Sequence, residues 1–322
     1  MGKYLKNILI TGGLGYLGGR MAKYFSDNRY SVLITTRRLE KDFPKNIPVN
    51  TSVVQVDYKS DEQLNEAMKG IDTLIHLAGP DAHTISKNPD SIILEHLELT
   101  GRLVHAAEVN DVKKIIYFST IHVYGKNLKG TITEATSPIP VNPFAKAHLE
   151  AESIIGSQTK KVVSVIVRCS NSFGAPYFEN EKCWKLVVND LCKSAFQNGK
   201  LIIHSSGQGY RNFIAVDDVV RAIHHLLELK KVRAIPEIYN LGSSNTLRII
   251  DIVRKIQKEL KNSFNYDCPI ETNKSSTESN NVGSFIFSIY KIMQTGFRPN
   301  YGGKEIRSLL EQCKMEQQLV VH

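Results

Sequence analysis

The sequence predicts an α/β protein built on a doubly wound parallel sheet, with a smaller C-terminal lobe. Three observations lead there. Over the first 170 residues, short runs rich in Ile, Val and Leu alternate with amphipathic stretches of helical length, as expected of strands covered on both faces by crossover helices. A glycine-rich turn joins the first run to the first helical stretch. After Ser170 the alternation loosens into shorter elements and turn-rich connections. The expected domains are residues 1–170 and 171–322, interleaved across an approximate boundary.

Strands are expected at 7–11, 31–36, 52–56, 73–76, 115–119 and 162–167. Most are near-continuous in apolar residues, which a strand needs when neither face meets water. Helices are expected between them at 15–28, 61–69, 90–110 and 143–157. In the second half the pattern predicts a loop at 171–176, a helix at 182–198 closed by Asn198-Gly199, and a strand at 201–203. A turn-rich segment at 205–209 then leads to a helix from 216 to about 229. The polar, serine-rich stretch 272–281 is expected to be a surface loop, and 303–322 a last helix.

Composition narrows the function classes. A chain of 322 residues with 42% hydrophobic content can bury a substantial core. It has no run of about 18 or more apolar residues, so no membrane span is expected. The segment Met1–Lys6 passes directly into Ile8-Leu9-Ile10 with no signal-peptide pattern, which predicts a cytoplasmic protein. Five cysteines (Cys169, Cys183, Cys192, Cys268, Cys313) form no CxxC pair and lie near no histidine cluster. They predict reduced thiols and no bound metal. The net charge of +9 is dispersed and accompanies no nucleic-acid motif. It suits small anionic ligands such as pyrophosphates, and no nucleic-acid partner is expected.

The strongest local signal is Thr11-Gly12-Gly13-Leu14-Gly15-Tyr16-Leu17-Gly18, which follows the first strand and opens the first helix. That context predicts a Rossmann-type dinucleotide site. Gly12 allows the tight turn, Gly15 lets the backbone approach a pyrophosphate, and Gly18 lets the helix pack closely on the sheet. The N–H groups of the helix N-terminus, through Tyr16 and Leu17, then face the phosphates. Beyond the second strand stand Arg37 and Arg38, with no carboxylate until Glu40. An arginine suits a 2′-phosphate, so NADP(H) is favoured over NAD(H).

With these residues in view, the chain resembles the extended short-chain dehydrogenase/reductases, in particular their sugar-nucleotide epimerase/dehydratase group. The resemblance runs over nearly the whole length. Val56-Asp57-Tyr58 sits where the family has a turn whose Asp contacts the adenine, and Asp72 to Gly79 is similar to "DxVIHLAA", whose last residues (here Leu77, Ala78 and Gly79) line the cofactor. Phe118 to Gly125 resembles "SSxxVYG", which implies a substrate-touching hydroxyl at Thr120 and a pocket role for Tyr124. Arg168 to Gly174 resembles "LRxxNVYGP" and Gly207 to Val219 resembles "GdGxxxRDFIxVxDV". They imply that Asn171 and Arg211 face the substrate phosphates in a substrate-binding C-terminal lobe. Tyr239-Asn240-Leu241-Gly242 matches "YNlG".

The catalytic pattern breaks. The family's Tyr-x-x-x-Lys pair lies one helical turn apart, and the lysine both holds the nicotinamide ribose and lowers the tyrosine pKa. In register, this chain reads Asn142-Pro143-Phe144-Ala145-Lys146-Ala147-His148. Phe144 replaces the tyrosine, His148 replaces the lysine, and Lys146 points away. Where the family has an Asn in the preceding helix, Glu98 is expected. Dehydratases of the family carry Asp-Glu after the threonine, where this chain has Ile121 and His122. His122, two residues past Thr120 on an extended segment, would share its face and stand as an alternative proton donor. His148 would still hydrogen-bond the ribose, with little charge.

The resemblance therefore implies an NAD(P)-dependent oxidoreductase or epimerase acting at C4 of a nucleotide-linked sugar. A 4-ketosugar reductase with Thr120, His122 and His148 at its centre is preferred, because reduction suffers less from the lost tyrosine than oxidation does. The alternative is a family member without turnover that binds cofactor and nucleotide sugar as an accessory subunit. The resemblance also implies a homodimer through the 90–110 and 143–157 helices, for which Ile92, Ile93, Leu97, Leu103 and Val104 offer apolar surface.

Overall fold

A computed structural model describes residues 6–80, 85, 88–159, 161–230, 236–272, 283–300 and 302–320. Its centre is a seven-stranded parallel sheet. The strands are β1 (Asn7–Thr11), β2 (Ser31–Thr36), β3 (Thr51–Gln55), β4 (Thr73–His76), β5 (Lys114–Thr120), β7 (Val163–Cys169) and β11 (Glu237–Leu241). Their spatial order is β11-β7-β5-β4-β1-β2-β3. β1, β2 and β4 fall where the apolar runs predicted, β3 is displaced by one residue, and β5 and β7 each extend further toward the site. The edge strand β11 was not foreseen, because Glu237-Ile238-Tyr239-Asn240-Leu241 alternates weakly and lies far along the chain.

β1 alternates its side chains between two apolar layers, as a two-residue period requires. Ile8 and Ile10 face helices α1 (Tyr16–Asp27) and α6 (Val216–Glu228), and pack with Met21, Phe25, Val219, Ile223 and Leu226. Leu9 faces α2 (Asp61–Met68), α3 (Pro89–Val109) and α4 (Pro143–Gln158), and packs with Leu64, Met68, Leu103, Val104 and Ile155. Leu103 and Val104, expected at a subunit interface, are 1% exposed and are used inside the chain.

The second lobe has its own core around β8 (Asn171–Phe173), β10 (Tyr210–Ala215) and β12 (Thr246–Arg248), which form a small mixed sheet. The expected loop at 171–176 thus begins as strand, held by parallel pairing of Asn171 with Phe213 and Phe173 with Ala215. β9 (Leu201–Ile203) pairs with β13 (Ile270–Thr272), and β6 (Gly130–Ile132) with β14 (Phe285–Phe287). The expected helix at 182–198 divides into a 3₁₀ turn over Glu181–Lys185 and helix α5 (Val187–Gln197). Leu186, with φ −75° and ψ 135°, is extended and separates them. Helices α7 (Ile249–Phe264), α8 (Tyr290–Gln294) and α9 (Gly303–Val320) complete the lobe. The serine-rich loop expected at 272–281 lies, apart from Thr272, outside the described residues.

No helix is long and apolar enough to cross a membrane among the described residues. All five cysteines are buried free thiols.

Candidate active site

The strand order reverses between β1 and β4, and in such sheets ligands bind in the crevice beyond the carboxyl ends of the strands at the reversal. The glycine turn occupies that crevice. Gly12 has φ +70°, and a Cβ there would come within 2.9 Å of Ala78 N, so β1 and β4 close on each other only around glycine. Gly18 is packed as tightly, since its Cβ would fall 2.4 Å from Gly12 O. Gly15 is the N-cap of α1, where no side chain caps the helix and no acidic residue sits in the first turn. A Cβ there would meet only Gly12 O, at 3.0 Å, so the first N–H groups of α1 open onto the crevice. These are the features of a diphosphate cradle.

Tyr16 begins α1 with its backbone at the cradle, and its hydroxyl is turned to the second lobe, donating to Gly174 O at 3.0 Å. Arg20, one turn further, donates to both Glu305 carboxylate oxygens (2.7 and 3.1 Å) and to Ala175 O, so α1 docks the two lobes. Leu17 packs against the core beside it.

Beyond the cradle lies a cleft of about 300 Å³ whose walls include Arg37, Asp57, Tyr58, Ala78 and Gly79. Arg38 is not among these residues. It is exposed, and its backbone N–H donates to Thr36 Oγ1. Asp57 Oδ1 accepts from Lys59 N (3.0 Å), and the Tyr58 hydroxyl donates to Thr35 O (2.9 Å), which fixes both side chains at the end of the crevice.

The inner end of the crevice is lined by histidines. Asn142 caps α4 by accepting from Ala145 N at 2.8 Å, with Pro143 in the first turn. This sets Phe144 and His148 one turn apart on one face, their rings edge to face with centroids 4.7 Å apart. His148 Nδ1 lies 2.8 Å from the Tyr117 hydroxyl, which lies 3.0 Å from His96 Nε2. His76 is held between Thr11 Oγ1 (2.8 Å) and Thr100 Oγ1 (3.2 Å). Burial holds the imidazoles neutral: His148 is lowered to about 3, His96 to about 4, and His76 falls well below its ordinary value. Lys146 points to solvent, as expected. The α3 residue that turns inward is His96 rather than Glu98, which is exposed on the cleft rim.

A second cavity, of about 500 Å³, is bordered by His122, Asn142, Asn171, Tyr210, Arg211 and Phe285. His122 reaches it differently than predicted. The chain leaves β5 not as an extended segment but as a 3₁₀ turn over Ile121–Tyr124, with Thr120 Oγ1 accepting from His122 N at 3.3 Å. Thr120 is 8% exposed, and its hydroxyl is engaged as this cap. Burial, then the charge of Arg211, lowers the His122 pKa. The Asn171 amide donates to Asn212 O (2.8 Å), and Arg211 is exposed at the cavity mouth.

Tyr124 is not at this cavity. It is 4% exposed beneath it, donating to Asn240 Oδ1 (2.7 Å) and accepting from Arg168 Nη1 (3.0 Å). Arg168 forms a buried fork with Glu152, with Nε–Oε1 at 3.0 Å and Nη2–Oε2 at 2.6 Å. Ser119 donates to the same carboxylate. The network ties α4, β5, β7 and β11 together under the site.

Residues 8–242 match the family described as NAD dependent epimerase/dehydratase. The chain belongs to that family. Its similarity to the dTDP-D-glucose 4,6-dehydratase of Homo sapiens is 28% identity over 94% of this chain and 88% of that protein. The enzyme of the same name from Dictyostelium discoideum is 27% identical over 79% of this chain, and the match spans 62% of its own length. The fold is also that of the UDP-glucuronic acid 4-epimerase from Bacillus cereus solved with NAD, at 20% identity and a TM-score of 0.78 over 96% of each chain. Both of these relatives are named as dehydratases of a nucleotide sugar.

Of the residues expected to form this family's site, the structure gathers Gly12, Gly15, Gly18, Arg37, Asp57, Tyr58, Ala78, Gly79 and His148 along one crevice, with Leu77 at its base. It gathers His122, Asn171 and Arg211 around the adjoining cavity. Sequence inspection missed His76, His96, Tyr117, Glu152 and Arg168 as site or supporting groups. The i, i+4 spacings of His96–Thr100 and His148–Glu152 were their visible signal, each pair falling on a buried face.

Proposed function

We propose that this chain is a nicotinamide-dependent oxidoreductase that reduces C4 of a nucleotide-linked 4-ketosugar, with His122 in place of the missing tyrosine. The observation that carries the reading is the placement of His122. It borders the same cavity as Asn171 and Arg211, and its ring lies 6.2 Å, centroid to centroid, from Phe144, the residue in the tyrosine's position. The imidazole is thus one ring away from where the family's phenol would stand.

The residues divide the work as follows. The α1 N-terminus and glycine turn would hold the dinucleotide's diphosphate, and Ala78 and Gly79 would border the nicotinamide end. When bound, the reduced nicotinamide supplies the hydride. Arg211 and Lys126 give the sugar cavity a positive wall suited to a nucleoside diphosphate. His122 delivers the proton to the developing C4 alkoxide. No Asp or Glu is among the cavity's described lining residues, so the carboxylates that elimination would use are not at hand. That favours simple reduction over dehydration, although the curated relatives are named dehydratases. NAD(H) is carried over as the coenzyme from the solved Bacillus epimerase, since the arginine argument for NADP(H) retains only Arg37 in the cleft. The substrate is a soluble nucleotide sugar, the setting a cytoplasm, and a homodimer remains compatible with the partly exposed end of α3, where Leu94 is 58% exposed.

The proton donor fixes the pH dependence. A histidine with a depressed pKa is mostly neutral at pH 7, and the imidazolium is the better acid. The reductive kcat/KM is therefore expected to fall as pH rises from 6 to 8, approaching about tenfold per unit. His122→Ala is expected to lower the rate about tenfold or more and to abolish that dependence. The assay follows the loss of reduced-nicotinamide absorbance with a nucleotide 4-ketosugar. An unchanged rate and profile in His122→Ala would remove His122 from the mechanism, and saturable ligand binding without turnover would favour the accessory-subunit alternative.

A further inference from the structure

The Tyr117 hydroxyl stands between two imidazoles, 2.8 Å from His148 Nδ1 and 3.0 Å from His96 Nε2. All three side chains are buried, at 1%, 8% and 4% exposure for Tyr117, His148 and His96. A neutral phenol has one proton, so it donates to one ring and accepts from the other, and a neutral imidazole has one N–H. Two arrangements satisfy these constraints.

In the first, Tyr117 donates to His96 Nε2 and accepts from His148 Nδ1. His96 must then carry its proton on Nδ1. That atom is buried and has no hydrogen-bond partner among the described residues, so the arrangement strands an N–H donor away from water. In the second, Tyr117 donates to His148 Nδ1 and accepts from His96 Nε2–H. The unpartnered His96 Nδ1 is then a bare acceptor, the less costly orphan of the two. The second arrangement leaves the single proton of His148 on Nε2.

His148 presents its Cε1 edge to the crevice, 3.7 Å from where a Cβ on Gly79 would sit. We propose that Tyr117 and His96 are positioning residues that lock His148 in its Nε2–H tautomer, so that an uncharged donor faces the ribose hydroxyls of the coenzyme. The family's lysine brings a donor and a charge to this position. Here the charge has no phenol to act on, because Phe144 has no hydroxyl, and only the hydrogen bond is kept. The proposal rests on the coenzyme site proposed above.

The test is the tautomer itself, read by two-bond ¹H–¹⁵N correlation spectra of protein labelled with ¹⁵N-histidine, with the His148 signals identified by their loss in His148→Gln. Wild type should show His148 as the Nε2–H form near pH 7, without any ligand. Tyr117→Phe should shift those resonances toward a mixture of tautomers. His96→Leu should do the same, whereas His96→Gln, whose amide can still donate to Tyr117, should restore the wild-type pattern. The NADH dissociation constant should rise about fivefold to twentyfold in Tyr117→Phe and His96→Leu and recover in His96→Gln, the range of one lost hydrogen bond. Should Tyr117→Phe fail to fold, the two His96 variants and the wild-type spectrum decide the matter. An Nδ1–H form in wild type, or tautomers indifferent to Tyr117 and His96, overturns the proposal. Absence of NADH binding to wild type with the expected tautomer intact would instead refute the coenzyme site and leave the lock standing as chemistry without that purpose.

Discussion

Glu152→Ala is expected to destabilise the protein by about 3–5 kcal/mol, because it leaves an uncompensated guanidinium in the interior. The Arg168 and Glu152 side chains are 4% and 5% exposed, joined by a fork whose shortest contact is 2.6 Å. Among the described residues Arg168 has one further side-chain hydrogen-bond partner, the Tyr124 hydroxyl, and that bond cannot neutralise its charge. Burial acts to lower its pKa, but the carboxylate outweighs burial and holds it above its ordinary value. Urea denaturation of wild type and variant gives the comparison. The double replacement Glu152→Leu with Arg168→Met, which removes both charges and keeps bulk, should cost much less than Glu152→Ala. Equal losses in the two would mean that packing rather than charge explains the effect. Because Glu152 lies one turn beyond His148 on α4, the same variant should also disturb the histidine row.

Acid is expected to undo the fold from the inside. His96 and His148 are held neutral by burial, with pKa values lowered to about 4 and about 3 from an ordinary 6.5. In the unfolded chain both take up protons below about pH 6.5, whereas in the folded chain they resist until pH 3–4. The unfolded state therefore binds more protons across that window, and stability falls as pH falls. Above pH 6.5 the two contribute almost no pH dependence. From pH 7 to pH 4 each should remove roughly 3 kcal/mol, together a large share of the 5–15 kcal/mol typical of a domain. His76, fully buried, acts in the same direction. Urea midpoints measured from pH 7.5 to 4.5 should drop steeply below about pH 6, and the drop should be smaller in His96→Gln. A midpoint flat down to pH 5 would show that the cluster is not neutral in the native state.

The sheet was legible because its strands are buried on both faces. β1, β2 and β4 are short blocks of branched residues, and nothing in their surroundings displaces them. The cradle was legible because glycine at 12, 15 and 18 answers to a backbone constraint, a positive φ or a contact under 3.1 Å, that depends little on the rest of the fold. The sites that escaped depend on distant partners. Tyr124 looked like a pocket residue from its motif, but Arg168 and Asn240, 44 and 116 residues away, draw its hydroxyl inward. Thr120 and His122 seemed to share a strand face until the chain turned into a 3₁₀ turn. Glu98 matched a family position by count, yet the helix of α3 presents His96 to the interior instead. β8 and β11 owe their existence to pairing with β10 and β7, which no local pattern announces.

The central claim, a dinucleotide with its diphosphate on the N-terminus of α1, is tested most directly by calorimetric titration with NADH and NADPH of wild type and Gly15→Asp. Gly15 sits at the N-cap with φ −85° and ψ −177°, extended backbone open to any residue, and Asp is a favoured N-cap. The variant should therefore still fold, with a modest loss of melting temperature from the Cβ set 3.0 Å from Gly12 O, while its carboxylate occupies the phosphate position. Wild type should bind NADH saturably, at least as tightly as NADPH, and Gly15→Asp should weaken that binding on the order of a hundredfold. Tighter binding of NADPH would restore the preference that Arg37 suggested. No saturable binding of either coenzyme by wild type, or equal affinity in Gly15→Asp, would contradict the account.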